Sequence, residues 1–261
     1  MQTIPLPELS IVFVPTVLML FIMYRWKLKA WVGLYANLRM IVQLLLVGYF
    51  LTYLFETNEP IIIVALVFVM IGVSTWIALR SFKDQTRKPY LIVLISIGVP
   101  GLTLLVTVTQ FVLEISRWFE PNLVIPIAGM IFANSMNTVS LAAERFESEF
   151  KRGENYISAR QAALDATLIP QINSLFAVGL VSLPGMMTGQ ILSGVDPHIA
   201  VRYQIMVMWM IFSSGGIAAT LYLFLRTRMI MKIKKIKLNL KEIAALKKEM
   251  SYKNKLSDQW F

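Results

Sequence analysis

Asn134, Asn137 and Thr138 fall at i, i+3 and i+4 inside an otherwise apolar stretch, so a helix there carries two amides and a hydroxyl on one face. Further along, Pro184, Gly185, Thr188 and Gln190 interrupt a second apolar stretch with a missing backbone donor and two more uncharged polar side chains. Groups of this kind form hydrogen bonds and coordinate ions weakly; they are poor acids, bases and nucleophiles. Two readings fit them. One is tight packing of two helices, aided by the small-residue line Gly129, Ala133, Asn137 and by Gly185 and Gly189 four residues apart. The other is a translocation path lined by Asn134, Asn137, Thr138, Thr188 and Gln190, with Pro184–Gly185 breaking or kinking the second helix.

Residues for covalent or acid–base chemistry are scarce. The single histidine, His198, sits beside Asp196 and Pro197 in a predicted turn and reads as structural. The four aspartates, Asp84, Asp165, Asp196 and Asp258, all lie outside the apolar stretches, so no intramembrane aspartyl dyad forms. No histidine can reach the serines within those stretches, and no GxxxxGK[ST] sequence cradles a nucleotide phosphate. Cysteine is absent, which removes disulfides and thiolate metal sites. Met186, Met187, Met206, Met208 and Met210 are soft donors suited to copper(I), but in so apolar a chain they read as helix and lipid contacts. No catalytic residue, cofactor or metal-ligand set is assigned, and the chain is read as a non-enzyme.

The elements that must position the polar seam follow from hydropathy. With 57% hydrophobic residues and a mean hydropathy of +0.65, the chain is far more apolar than a soluble domain. Seven stretches approach or exceed the length needed to cross ~30 Å of hydrocarbon as helices. They are residues 9–24, 32–55, 61–79, 91–113, 123–143, 174–195 and 203–225. Arg39 is the one charge within them, near an end, where its side chain can snorkel to the interface. The fold class predicted is an all-α integral membrane protein of about seven transmembrane helices, with a broken or kinked sixth span. Placing the N-terminus outside puts 23 of the 25 Lys and Arg residues on the inner side, leaving only Arg117 and Arg202 outside. The faces then carry net charges of +14 and −4, a segregation that favours N-out and C-in. The same segregation accounts for the basic residues without nucleic acid. The first stretch has no preceding positive charge and is followed by Arg25, Lys27 and Lys29, which is the reverse of a secretory signal.

Two polar segments complete the organisation: residues 1–225 form the membrane domain, with an insert at 144–173, and 226–261 form a basic tail. Within the insert, the run from Glu154 to Ile169 lacks Gly and Pro and is bounded by Gly153 and Pro170, predicting a helix. Ile157, Leu164 and Leu168 make its apolar stripe beside Arg160, Gln161 and Asp165. Such a helix would either transmit movement from a soluble motor or lie on the headgroups. In the tail, Ile233, Ile236, Leu240, Ile243 and Met250 recur at helical steps among lysines. That pattern predicts an amphipathic helix on anionic lipid, or one continuing the last span inward.

Several runs together resemble the FetB family: Val124-Ile-Pro-Ile-Ala-Gly-Met130, Asn134 and Asn137, Leu168-Ile-Pro170, Val178-Gly-Leu-Val-Ser-Leu-Pro-Gly-Met-Met187, Gly194-Val-Asp-Pro197 and Tyr203-Gln-Ile205. The resemblance is strongest over residues 124–225. It implies the permease subunit of an ABC transporter in the bacterial cytoplasmic membrane, exporting iron or another metal ion or complex. It further implies a homodimer of this chain with two copies of a separate ATP-hydrolysing subunit, for which the insert helix, with Ile157, Arg160, Gln161, Leu164 and Leu168, is the expected docking face. Residues 147–153, Glu-Ser-Glu-Phe-Lys-Arg-Gly, depart there from the Leu-Gly-Ala stretch of many relatives. Plant relatives of the family are associated with aluminium tolerance and UDP-glucose transport, so nucleotide-sugar transport is the alternative substrate. An ATP-independent channel or carrier is the alternative mechanism, although no buried acid or lysine offers a proton relay.

Overall fold

The computed structural model describes residues 5–56, 59–82, 89–115 and 117–257. The loop residues Lys83, Asp84, Arg87 and Lys88, Asp258, and the side chains of the tail stripe from Ile233 to Met250 lie outside what is described. The described residues form eight α-helices: α1 (Leu6–Arg25), α2 (Ala30–Glu56), α3 (Pro60–Ala78), α4 (Tyr90–Val106), α5 (Pro121–Lys151), α6 (Tyr156–Ala177), α7 (Gly185–Leu192) and α8 (Pro197–Ser257). Among the described residues there is no β-strand. Among the described residues, five helical segments are long and apolar enough to cross a bilayer: Ala30–Thr52, Pro60–Ala78, Tyr90–Val112, Pro121–Lys151 and Pro197–Met231. Ser10–Arg25 is a shorter apolar helix.

Proline marks the helix starts. Pro60, Pro121 and Pro197 each stand at a first helical position, where the missing N–H is one the helix would leave unpaired anyway. At the start of α8, the Asp196 carboxylate accepts from His198 N at 2.8 Å, so the Asp-Pro-His run is a helix cap, as its turn position suggested.

α5 is the central helix and packs on α3, α4, α6 and α8. Its buried face runs through Ile127, Ala128, Ile131, Phe132, Ser135, Val139, Ala142 and Phe146. The predicted small-residue line fares differently: Gly129 is half-buried, while Ala133 and Asn137 are exposed. Close approach instead uses Gly101 of α4, over which the Phe132 ring lies, and Ser214, Gly215, Ala218 and Ala219 of α8. α1 and α2 pack on each other, and the α2 span has no buried residue, as expected of a lipid-facing surface. Arg39 of α2 places its guanidinium 5.6 Å from the centroid of the Trp76 ring on α3.

Three boundaries depart from the expectations. First, α5 continues through the start of the polar insert to Lys151. At 31 residues it is ~46 Å long, well beyond the hydrocarbon thickness. Second, the insert helix does not stop at Pro170; α6 runs through it to Ala177. One lost backbone bond is tolerated there because α6 is held along its length by α5 and α8. Third, residues 174–195 do not form one span. The helix ends at Ala177, Gly179 adopts φ +84, and Val178 pairs with Ser182 in an isolated bridge. The chain restarts as the eight-residue α7, only ~12 Å long. The break expected at Pro184–Gly185 is real, but it is centred on Gly179. Pro184 is the N-cap of the second half rather than a kink within it. The tail continues α8 as one helix to Ser257, 61 residues and ~92 Å from its start.

Candidate functional site

A cavity of 230 Å³ opens between α5, α6 and α8. α5 supplies Asn134, Asn137 and Thr138, at the predicted helical spacing; α6 supplies Thr167, Gln171 and Ser174; α8 supplies Met208, Ile211 and Phe212. Three of the predicted path residues therefore converge on one site. Thr188 and Gln190 of α7 do not line it. The Thr188 hydroxyl donates back to Pro184 O at 3.2 Å, and Gln190 Oε1 is buried without a partner elsewhere. Pro184 and Gly185 form the start of α7, away from the cavity wall.

The site exists because α8 presents a glycine where the amides meet. A Cβ on Gly215 would collide with Gln171 Nε2, with Asn134 Nδ2 and, at 2.8 Å, with Thr138 Cγ2. Only hydrogen at this position lets the three side chains lie against the helix. Asn134 ties α5 to α8: its Nδ2 donates to Ile211 O at 2.6 Å and to Ser214 Oγ at 3.4 Å. Ser135 Oγ donates to Ser214 O at 3.3 Å in the same seam. Gln171 differs. It is 9% exposed, yet neither its amide oxygen nor its amide nitrogen has a partner. Buried polar atoms of this kind are rare and call for an explanation.

Thr167, Gln171 and Ser174 are the polar lining residues that the sequence reading missed. They recur at four- and three-residue steps, a helical face as clear as that of Asn134 and Thr138, but Pro170 between them reads as a helix stop. Of the methionines, Met208 lines the cavity and Met210 is buried in the core; the group does not converge on one point. Among the described residues, no cluster of three His, Cys, Asp or Glu side chains is placed to hold a metal ion.

The insert forms a helical hairpin. Gly153, at φ +96, reverses the chain between α5 and α6, and Asn155 caps α6 by accepting from Ile157 N and Ser158 N, both at 2.9 Å. The rings of Phe146, Phe150 and Tyr156 stack across the turn, with centroids 6.1 and 4.9 Å apart. α6 buries Ala159, Ala163, Thr167 and Gln171, a face rotated from the predicted stripe. Ile157 is consequently 62% exposed, Gln161 is exposed, Arg160 and Leu168 are half-buried, and Leu164 packs against the core. Beside the hairpin, Arg226 of α8 reaches Glu147 of α5 at 3.5 Å, with both side chains largely buried.

The helices and their apolar surfaces define a multi-pass α-helical membrane protein, with a cavity between α5, α6 and α8 lined partly by amides and hydroxyls. Residues 6–231 match UPF0014, described as an uncharacterised protein family, and the chain belongs to that family. It is 33% identical over 209 residues to a UPF0014 membrane protein of Synechocystis sp., spanning 72% of this chain and 81% of that one. It is 35% identical over 206 residues to the probable iron export permease protein FetB of Escherichia coli, covering 73% and 78% of the two chains. It is 31% identical over 206 residues to protein ALUMINUM SENSITIVE 3 of Arabidopsis thaliana, covering 71% and 72%. No solved structure matches the chain.

Proposed function

We propose that this chain is the membrane-spanning permease subunit of an ABC transporter that exports iron, driven by ATP hydrolysis on a separate subunit. The observation that carries the proposal is the continuity of α6. One unbroken helix joins the exposed end at Ile157 to the cavity wall at Gln171, fourteen residues and ~21 Å away. A soluble motor that pushed on the hairpin would move one wall of the cavity between α5, α6 and α8. That is the coupling an ATP-driven permease requires. The relationship to the probable iron export permease supports iron as the solute. In this reading the N-terminus is outside and the C-terminal helix cytoplasmic, following the positive-inside charge bias. Two copies of the chain pair with two ATPase subunits in the bacterial cytoplasmic membrane. The rotated stripe of α6 revises the docking face: Ile157 and Gln161 are its exposed contacts, with Arg160 at its edge, whereas Leu164 serves the fold.

The amide and hydroxyl lining supports a second reading, a nucleotide sugar carried by the same architecture, because such groups also bind sugar hydroxyls. Co-expression with the partner ATPase tests the docking claim. Ile157→Asp is expected to leave the yield of this chain intact while reducing co-purified ATPase at least severalfold. Unchanged recovery of the complex would remove this face from the interface.

A further inference from the structure

The outer side of α5 has the chemistry of a helix–helix contact. Elsewhere the membrane-facing surface is made of large apolar side chains: Phe68 and Trp76 on α3, Val99 on α4 and Ile217 on α8 are each more than half exposed. Within the apolar stretch of α5 the exposed residues are Pro126, Ala133, Asn137 and Leu141, with Gly129 half-buried beside them. They follow steps of seven, four and four residues, one helical face ~22 Å long, and only Leu141 is large and apolar. Lipid offers nothing to an amide and packs no better on alanine than on leucine. A second helix gains close backbone approach from small side chains and a hydrogen bond from the amide.

This strip borders the cavity. Asn137 and Leu141 both line it and stand exposed at its edge. Inside, Gln171 is 9% exposed, and its amide nitrogen and oxygen are both without a partner. A side chain that lacks an acceptor and a donor together is matched by another amide, which supplies one of each. The apolar, uncharged remainder of the wall, including Leu175, Ile211 and Phe212, suits a packed helix. A strip that is small and amide-bearing is also complementary to a copy of itself. A two-fold crossing of two α5 helices sets the Ala133 positions close together and turns each copy's Asn137 towards the other's Gln171. We infer that two copies of this chain meet along Pro126, Ala133, Asn137 and Leu141, and that each completes the other's cavity by pairing its Asn137 amide with the opposite Gln171. The inference rests on the permease reading for the pairing of copies and assigns the face they share.

The chain has no cysteine, so single introduced cysteines report the contact without background. In the full chain reconstituted in lipid, Ala133→Cys and Asn137→Cys are expected to give disulfide-linked dimers under mild oxidation. Val99→Cys, exposed on α4, whose Gly101 lies under Phe132 on another side of α5, is expected to stay unlinked. Ala133→Leu adds bulk at a position exposed in the single chain, so it is expected to stay folded and monodisperse while dimer affinity falls about tenfold or more. Gln171→Met and Asn137→Leu are each expected to weaken the dimer about threefold or more, and the double variant no further than either one, because both remove the same amide pair. A monomeric parent, no cross-linking at 133 and 137, dimers linked as readily through 99, unchanged association of Ala133→Leu, or additive losses at Gln171 and Asn137 would each overturn the inference. ATP-driven flux is read separately, after adding the ATPase subunit. Its absence counts against the permease reading and leaves the contact standing, whereas flux from chains that do not associate overturns the contact alone.

Discussion

Two adjacent glycines on α8 offer a close comparison, because the structure surrounds them so differently. At Gly216, an added Cβ would find Leu168 Cδ2 at 3.7 Å, an ordinary contact. Gly216→Ala therefore keeps the packing and gains helix propensity, about 0.5–1 kcal/mol. At Gly215 the same methyl meets three groups at once. Gln171 can swing its amide aside. Asn134 can move only by surrendering its 2.6 Å bond to Ile211 O, about 0.5–1.5 kcal/mol. The Thr138 methyl, 2.8 Å away on a β-branched side chain, has little rotamer freedom to yield. With overpacking costs of about 1–3 kcal/mol, Gly215→Ala is expected to fall about 1–3 kcal/mol below Gly216→Ala in stability. Paired thermal unfolding of the two variants in one detergent reads the difference as several degrees in Tm. Because the displaced groups line the cavity, Gly215→Ala is also expected to lose solute binding that Gly216→Ala retains. Superimposable melting curves and equal binding would refute the convergence of Asn134, Thr138 and Gln171 on this helix.

Three further outcomes follow from the same geometry. Asn155→Ala removes the cap of α6 and is expected to cost about 1 kcal/mol, seen as a lowered Tm. Glu147→Gln leaves Arg226 buried without its carboxylate and is expected to cost about 3 kcal/mol, whereas adding Arg226→Met in the same chain should restore most of the loss; a double variant no better than the single one would count against the ion pair. At the break between α6 and α7, Gly179→Ala is expected to be the more damaging change, by about 1–2 kcal/mol, because it forces an alanine to φ +84, while Pro184→Ala is mild; the opposite order in expression and Tm would place the hinge at the proline.

Much of the scaffold was legible from hydropathy because the bilayer leaves the backbone few options. The stretches at 61–79, 91–113 and 123–143 correspond to α3, α4 and α5, whose apolar lengths alone require helices. The cavity was half legible: Asn134, Asn137 and Thr138 declared their shared face by spacing. Its other wall was hidden by a rule of local chemistry. Pro170 lacks a backbone donor and reads as a stop, yet the cost is confined to one hydrogen bond, and packing of Ala159, Ala163 and Thr167 against the bundle outweighs it. The same misplaced stop turned the polar insert into a separate element, whereas α5 and α6 are a hairpin continuous with the membrane helices. Spacing of seven and four residues makes Ile157, Leu164 and Leu168 the expected apolar stripe of α6. In the structure, small residues occupy the buried face, because α6 lies close to both α5 and α8.

The measurement that bears most directly on the permease reading is ATP-driven iron movement in inside-out vesicles containing this chain and its partner ATPase. The account predicts that ferrous ion accumulates inside such vesicles only when both proteins and hydrolysable ATP are present, and that Gln171→Met slows accumulation while the ATPase stays bound. Iron flux through this chain alone, indifferent to ATP and to the partner subunit, would contradict the account and identify a channel or carrier instead.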